Sequence, residues 1–365
     1  MKNKKLRNQI IILGILIVTS VCIWLFSRNK YLVEILYSQS LYPFISNLLR
    51  FGFGWIPFSV GDILYSALII FVAGKMIKLI MIIYKHSYGS IRIKYILYRF
   101  VVQLLILYIA FNILWGLNYN RSGIAFQTGI TQAKYSKEEL LTITGLLLKE
   151  VNTCRQGLKH QQKHFITNRQ LFEKAENAYQ IASVYYPFLK YNHKSVKPSF
   201  FGLAGNYLGF SGYYNPFTGE AQVNTTIPDF LRPYVVCHEI AHQLGYAKEN
   251  EANFAGYLVA TASADTSFMY SAYLDLFLYA NGNLKRTDSV AAKTLHQQLI
   301  PEVKGDIEKM KSFYRKYENP VEPIITWIYG RYLESNEQPS GMRSYSEVVS
   351  YLIGYYNKYG KISGK

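Results

Sequence analysis

The sequence predicts a mainly α protein in two parts: three N-terminal transmembrane helices, then an α-rich domain with one small β-hairpin or sheet. Three observations predict it. Near the N-terminus, three stretches of about twenty residues are apolar and almost free of charge, long enough to cross a hydrocarbon core. Beyond residue 120 the apolar positions recur with helical spacing. One segment, 201–228, is instead rich in Gly, Tyr and Thr, with turn residues between short alternating runs.

The first span is "IIILGILIVTSVCIWLF" (10–26), without a charge from Asn8 to Ser27. It is long for a signal peptide and lacks a small-residue cleavage site, so it reads as retained. The second covers 56–74, with Asp62 near one end and Lys75 and Lys78 beyond the other, where long side chains reach the interface. The third covers 100–119, with Trp115 and Tyr119 as an aromatic belt at its exit. Between spans one and two, residues 31–55 are apolar but interrupted by polar ones, as in an interfacial or re-entrant helix pair. Residues 1–119 are thus a membrane anchor and 120–365 a separate domain.

The net charge of +17 does not indicate nucleic acid, because of where it lies. Residues 1–117 hold 13 Lys/Arg against two acids, Glu34 and Asp62, while the remaining 248 residues hold 27 against 21. A basic excess concentrated around apolar segments is membrane-flanking charge. The N-terminal tail and the loop between spans two and three carry ten Lys/Arg, and the opposite side carries six. That bias places the N-terminus in the cytoplasm and residues 120–365 outside it. The three cysteines, Cys22, Cys154 and Cys237, form neither a disulfide framework nor a metal-ligand pair. Transport is a weak reading, because the spans hold no central ionisable residue.

In the domain, Ser136 and Glu139 form a capping box ahead of a first helix. A second helix runs through 168–187 and stops at Pro187. The 201–228 segment turns at Asn215, Pro216 and Gly219 and ends at Pro228, and helices fill about 230–359.

The chemistry is concentrated in "VVCHEIAHQLGYAKENEANF" (235–254). His238 and His242 lie one helical turn apart, so their rings share a face and can converge on one Zn²⁺. Glu239 lies between them, rotated about the axis, suited to take a proton from a water rather than bind the ion. Gly245 is placed to stop the helix. Lys248 occupies the position where a further histidine would stand in a metzincin and cannot bind a metal. Glu249 and Asn253, at i and i+4 on a following helix, offer a third ligand and its neighbour, with Glu251 the alternative ligand. His86, in the basic loop, and His160, His164, His193 and His296, in polar surroundings, read as surface residues, and Cys237 reads as core packing.

The pair Glu249/Asn253 resembles the ExxxD element of gluzincin metallopeptidases. That resemblance implies Glu249 as a zinc ligand and Asn253 orienting an imidazole, although Asn stands where Asp is usual. The three spans together with "WGLNYNRSG", "SGYYNPFTGEAQVN", "HEIAHQLGYAKENEANF" and "SYSEVVSYLIGYY" resemble the bacterial membrane family DUF3810, a domain of unknown function. The resemblance covers nearly the whole chain. It implies a zincin-like domain with one Zn²⁺ on an anchor in the bacterial inner membrane. A peptide or protein is the implied substrate and the lipid bilayer the other partner. A catalytically silent zincin-like binding or sensor module is the competing function, against which the intact Glu239 counts.

In zincin-like peptidases a strand above the metal helix pairs with extended substrate. "EAQVN", with Glu220, Gln222 and Asn224, is the candidate here, beside the plain reading of a hairpin that only covers the core. An oxyanion donor is the remaining requirement, with Tyr213, Tyr214, Arg331, Arg343 and Tyr345 as candidates.

Overall fold

A computed structural model describes residues 2–84, 90–130, 134–159 and 167–365. The protein is mainly α with a small three-stranded sheet, as the sequence predicts. In chain order, α1 is Lys2–Ser27, α2 the single turn Lys30–Leu32 continuing into a π-helical Val33–Leu41, and α3 Tyr42–Gly54. Then come α4 (Val60–Tyr84), α5 (Ser90–Leu114), a 3₁₀ turn Gly116–Asn120 and α6 (Gly123–Thr128). The domain continues with α7 (Lys137–Lys159), α8 (Asn168–Tyr185), β1 (Val196–Pro198), α9 (Gly202–Leu208), β2 (Gly212–Asn215) and β3 (Glu220–Val223). It closes with α10 (Arg232–Gln243), α11 (Glu249–Ala262), α12 (Thr266–Thr287), α13 (Ser289–Gln297), α14 (Pro301–Tyr317), α15 (Glu322–Ser335), a 3₁₀ segment Gly341–Glu347 and α16 (Val348–Tyr359).

Three helices are long and apolar enough to cross a membrane, over Leu6–Ser27, Val60–Lys78 and Tyr95–Leu114, which is the build of a membrane protein. The second starts later than the sequence suggests. Ser59 caps it, accepting from the Asp62 amide at 3.0 Å, and Pro57 stays outside. The third stops earlier, at Leu114, where Trp115 leaves helical geometry. The aromatic-belt expectation is therefore corrected. Trp115 and Tyr119 turn inward and are buried with Tyr37, Tyr42 and Tyr214, because the chain bends away from the span axis at Gly116.

Residues 30–54 do form a helix pair, and its polarity is inverted. Ser46 and Arg50 face the domain, while Phe44, Leu48 and Phe51 point outward, with Phe44 67% exposed. A helix with its apolar stripe on the outside is suited to lie on lipid. The inner face is tied down by charge. Arg121 grips Glu34 through Nη2 at 2.7 Å and Nε at 3.0 Å, both side chains being buried, and Nη1 donates to the Gly245 carbonyl at 3.0 Å. Lys197 of β1 donates to the Gly54 carbonyl at 2.8 Å, a cation at the C-terminus of α3. The anchor and the domain thus share a buried interface.

The domain core is one cluster in which α12 packs on α7, and α11 on α10, α8 and α12. Local signals hold as read. Ser136 and Glu139 cap each other's backbone, Glu139 N to Ser136 Oγ at 3.1 Å and Ser136 N to Glu139 Oε2 at 2.8 Å. The second helix ends at Tyr185, just before Pro187, and Thr167 and Gln170 form a capping box at its start. Cys154 and Cys237 are buried free thiols.

In the sheet the order is β1–β3–β2, with β1 parallel and β2 antiparallel to β3. Glu220, Gln222 and Asn224 therefore cannot offer a strand edge to substrate: β3 is central and both its edges are paired. Their side chains are structural. Glu220 accepts from the amides of Val60 at 3.2 Å and Gly61 at 2.6 Å, an anion at the N-terminus of α4. Gln222 donates to Ser59 Oγ at 3.0 Å and Asn224 to the Gly202 carbonyl at 2.9 Å. The two outer edges of the sheet belong to β1 and β2, and β2 is the strand beside Glu239.

Candidate metal centre

The helix α10 carries the two histidines and Glu239, and its C-terminal carbonyls are satisfied by residues from the membrane-associated half. Trp115 Nε1 donates to the His242 carbonyl at 3.3 Å, and Tyr42 and Ser46 donate to the Gln243 carbonyl at 3.0 and 2.8 Å. Gly245 ends the helix as the sequence predicts, at φ +88°, and a Cβ there would lie 2.8 Å from the Tyr42 ring. The chain then turns into α11, which returns across α10 so closely that a Cβ at Gly256 would meet the His238 amide at 3.0 Å.

That crossing brings the ligand set together. The ring centroids of His238 and His242 are 4.6 Å apart. Glu249 Oε2 lies 3.3 Å from His238 Nε2 and 3.6 Å from His242 Nε2. Donor atoms bound at about 2.0–2.1 Å around one tetrahedral ion are separated by about 3.3 Å, so the spacing matches a shared Zn²⁺. Among the described residues, these three form a group whose ligand atoms all lie within 4.8 Å of one another. Glu249 Oε2 is buried without a hydrogen-bond partner, and a bound cation would supply what it lacks. The residues present fit the metal.

The surroundings set each ligand's state. His242 Nδ1 is 2.7 Å from the Tyr246 carbonyl, which only accepts, so Nδ1 carries the proton and Nε2 keeps its lone pair for the centre. Burial would lower the His238 pKa, but the adjacent Glu249 and Glu239 carboxylates push it up to about 9. Burial would raise that of Glu249, but the two imidazoles hold its carboxyl well below the usual carboxylate range. Glu239 is raised to about 7, chiefly by burial, with the histidines opposing. Its Oε2 has no hydrogen-bond partner, and β2 runs directly beside it. A Cβ built at Gly212 would sit 2.7 Å from Glu239 Cδ.

Glu251 is turned elsewhere. It is buried against Gly123, whose Cβ would lie 2.6 Å from Glu251 Oε2, and Lys248 Nζ is 3.9 Å away. Asn253 spends its Nδ2 on the Tyr345 carbonyl at 3.2 Å, and His238 Nδ1 is buried without a hydrogen-bond partner. A carboxylate absent from the sequence reading also faces this imidazole: Asp275 of α12, raised to about 7 by burial with His238 as the opposing charge.

The oxyanion candidates separate. Arg331 is 63% exposed, paired to Glu334, and Arg343 is exposed; neither lines the cavity over the centre. Tyr213 spends its hydroxyl on Asp62 and Ser199, and Tyr214 accepts from Tyr42. Tyr345 does line the cavity. Its hydroxyl pairs with that of Tyr329, a residue no local signal marks, and Tyr329 donates to Glu249 Oε1 at 2.7 Å. His193 and His296 do not line the cavity, and His86, His160 and His164 lie outside the described residues.

A family model described as a protein of unknown function (DUF3810) matches residues 37–353, from the inverted helix pair through the last core helix. The chain belongs to the DUF3810 family. No curated protein and no solved structure matches it. The matched range takes in the candidate centre, the buried contacts of Tyr42, Ser46 and Trp115 beneath it and the second and third membrane-length helices of this DUF3810 chain, while the first lies outside it.

Proposed function

We propose that this protein is a membrane-anchored, zinc-dependent metallopeptidase. The observation that carries the reading is the convergence of His238 Nε2, His242 Nε2 and an unpartnered Glu249 oxygen at metal-ligand spacing. These three would hold one Zn²⁺, which when bound supplies a Lewis acid and an acidified water. Glu239, buried beside the pair with one free carboxylate oxygen, takes the proton from the attacking water and returns it to the leaving amine. Tyr329 holds Glu249 in place, and Tyr345, on the cavity wall beside it, would exchange its Tyr329 contact for a bond to a developing oxyanion. The free edge of β2, next to Glu239, pairs with extended substrate. The bias of Lys and Arg toward the N-terminal tail and the loop between the second and third spans supports a reading with the N-terminus in the cytoplasm of a bacterium and the centre on the outer side of the inner membrane.

Elemental analysis of the full chain tests the reading. One zinc per chain in the wild type, lost in Glu249→Ala and kept in Glu251→Ala, is the expected result, together with hydrolysis of a peptide pool by the wild type. A zinc-free wild-type protein that cleaves nothing overturns it.

A further inference from the structure

The cavity over the centre has a volume of about 1220 Å³, and its walls are of two kinds. At one end are His238, Glu239, His242 and Glu249. At the other are Leu68 of α4 and Leu104, Leu107 and Phe111 of α5, all within the membrane-crossing segments. Leu104 precedes Trp115 by eleven residues, about 16 Å at 1.5 Å per residue. The hydrocarbon layer is about 30 Å thick, so the apolar end extends roughly halfway into it. Leu68, Leu104 and Leu107 are exposed rather than packed on protein.

The rim repeats the pattern. On α15, Val321, Ile324, Trp327 and Ile328 form an exposed apolar stripe while Ile325 and Tyr329 face the cavity. The helix α9 packs against α15, and Phe200, just before it, and Leu203, in its first turn, are also exposed. A mouth opening to water has no use for such a border, and one seated in the bilayer surface does.

The strand edge lies at the end of the cavity that holds the histidines. The β2 edge runs past Glu239 with Gly212 leaving room for a backbone to approach. An acyl chain gains nothing from a strand edge, whereas a polypeptide does.

We propose that the substrate is a polypeptide still held in the bilayer by a hydrophobic segment, which reaches the centre sideways along the wall formed by α4 and α5. This deepens the peptidase reading and rests on it for the cleavage step alone. The apolar half of the cavity takes the membrane-resident segment, and β2 takes the extended residues just outside it. A chain already in the membrane is presented at high effective concentration, which a soluble peptide is not.

The test uses the full chain in phospholipid vesicles and two peptide pools. One pool has a leucine–alanine span of about twenty residues followed by a randomised polar tail. The other has the same tails without the span. Cleavage of the anchored pool is expected to be at least about tenfold faster at equal total peptide. Equal cleavage of both overturns the inference and leaves the peptidase reading standing. A photo-crosslinking residue at Leu107 in a Glu239→Gln chain reads occupancy without cleavage. Capture of the anchored pool in preference to the tails supports the inference even where nothing is hydrolysed, and labelling of phospholipid alone overturns it.

Discussion

Trp115, the first residue beyond the third membrane-crossing helix, hydrogen-bonds the carbonyl of His242, and the two rings lie 6.1 Å apart edge to face. The helix that carries the candidate ligands is therefore mounted directly on the end of a span, although the two residues are 127 positions apart. Replacing Trp115 with Phe keeps most of the packing and removes one hydrogen bond, for about 1 kcal/mol. Trp115→Ala costs about 3–5 kcal/mol and weakens zinc retention. Thermal unfolding and metal content in detergent distinguish the two variants, and no loss in Trp115→Ala would remove this contact from the site's support.

Glu239→Gln keeps the side-chain volume and removes the base. Zinc content is expected to stay at the wild-type level while hydrolysis falls by about 10²–10⁴-fold. A variant with full activity would assign the proton transfer to another group.

Gly212→Val puts a side chain where Glu239 and the β2 edge approach each other, 2.7 Å from Glu239 Cδ at the first added carbon. The expected outcome is intact zinc binding with a large loss of peptide hydrolysis, because Glu239 must move and the strand edge is obstructed. Metal analysis beside a cleavage assay reads both.

Tyr329→Phe removes the hydroxyl that orients Glu249 and keeps the ring. Loss of such an orienting contact lowers metal affinity by about 10–100-fold. Competition with a chelator of known affinity measures it, and an unchanged affinity would confine Tyr329 to packing.

Glu34 and Arg121 lock the anchor to the domain. Burial would raise the Glu34 pKa, but Arg121 outweighs it and holds the carboxyl below its usual value of 4.5. A depressed carboxylate contributes stability above that value, lost as the pH falls through the folded-state pKa. Glu34→Gln leaves the guanidinium buried without its counter-charge, at a cost of about 3–5 kcal/mol near neutral pH. The gap in melting temperature between wild type and variant should shrink on acidification below pH 4.5. A gap independent of pH would show that the pair's charge contributes nothing.

Much of the fold could be read in advance where the cause is local. Gly245 as a helix stop, Ser136 with Glu139 as a cap, and three apolar segments of membrane length depend on neighbours a few residues away. So does the pairing of His238 with His242, since helical periodicity alone puts residues four apart on one face. That is why the candidate metal site is visible in a string of letters.

What the string leaves open depends on distant pieces meeting. Glu249 and Glu251, two positions apart on α11, point to different sides, and the crossing of α11 over α10 selects the first. Glu220 and Gln222 read as an exposed strand edge until β1, nearly two dozen residues upstream, occupies the far side of β3. Trp115 fits a lipid-facing belt by type and place, yet it serves the centre, as does Tyr329, whose partner Glu249 is 80 positions away. Spacing along a chain carries no information about contacts that only packing creates, and here those contacts decide which carboxylate faces the imidazoles and which strand edge stays open.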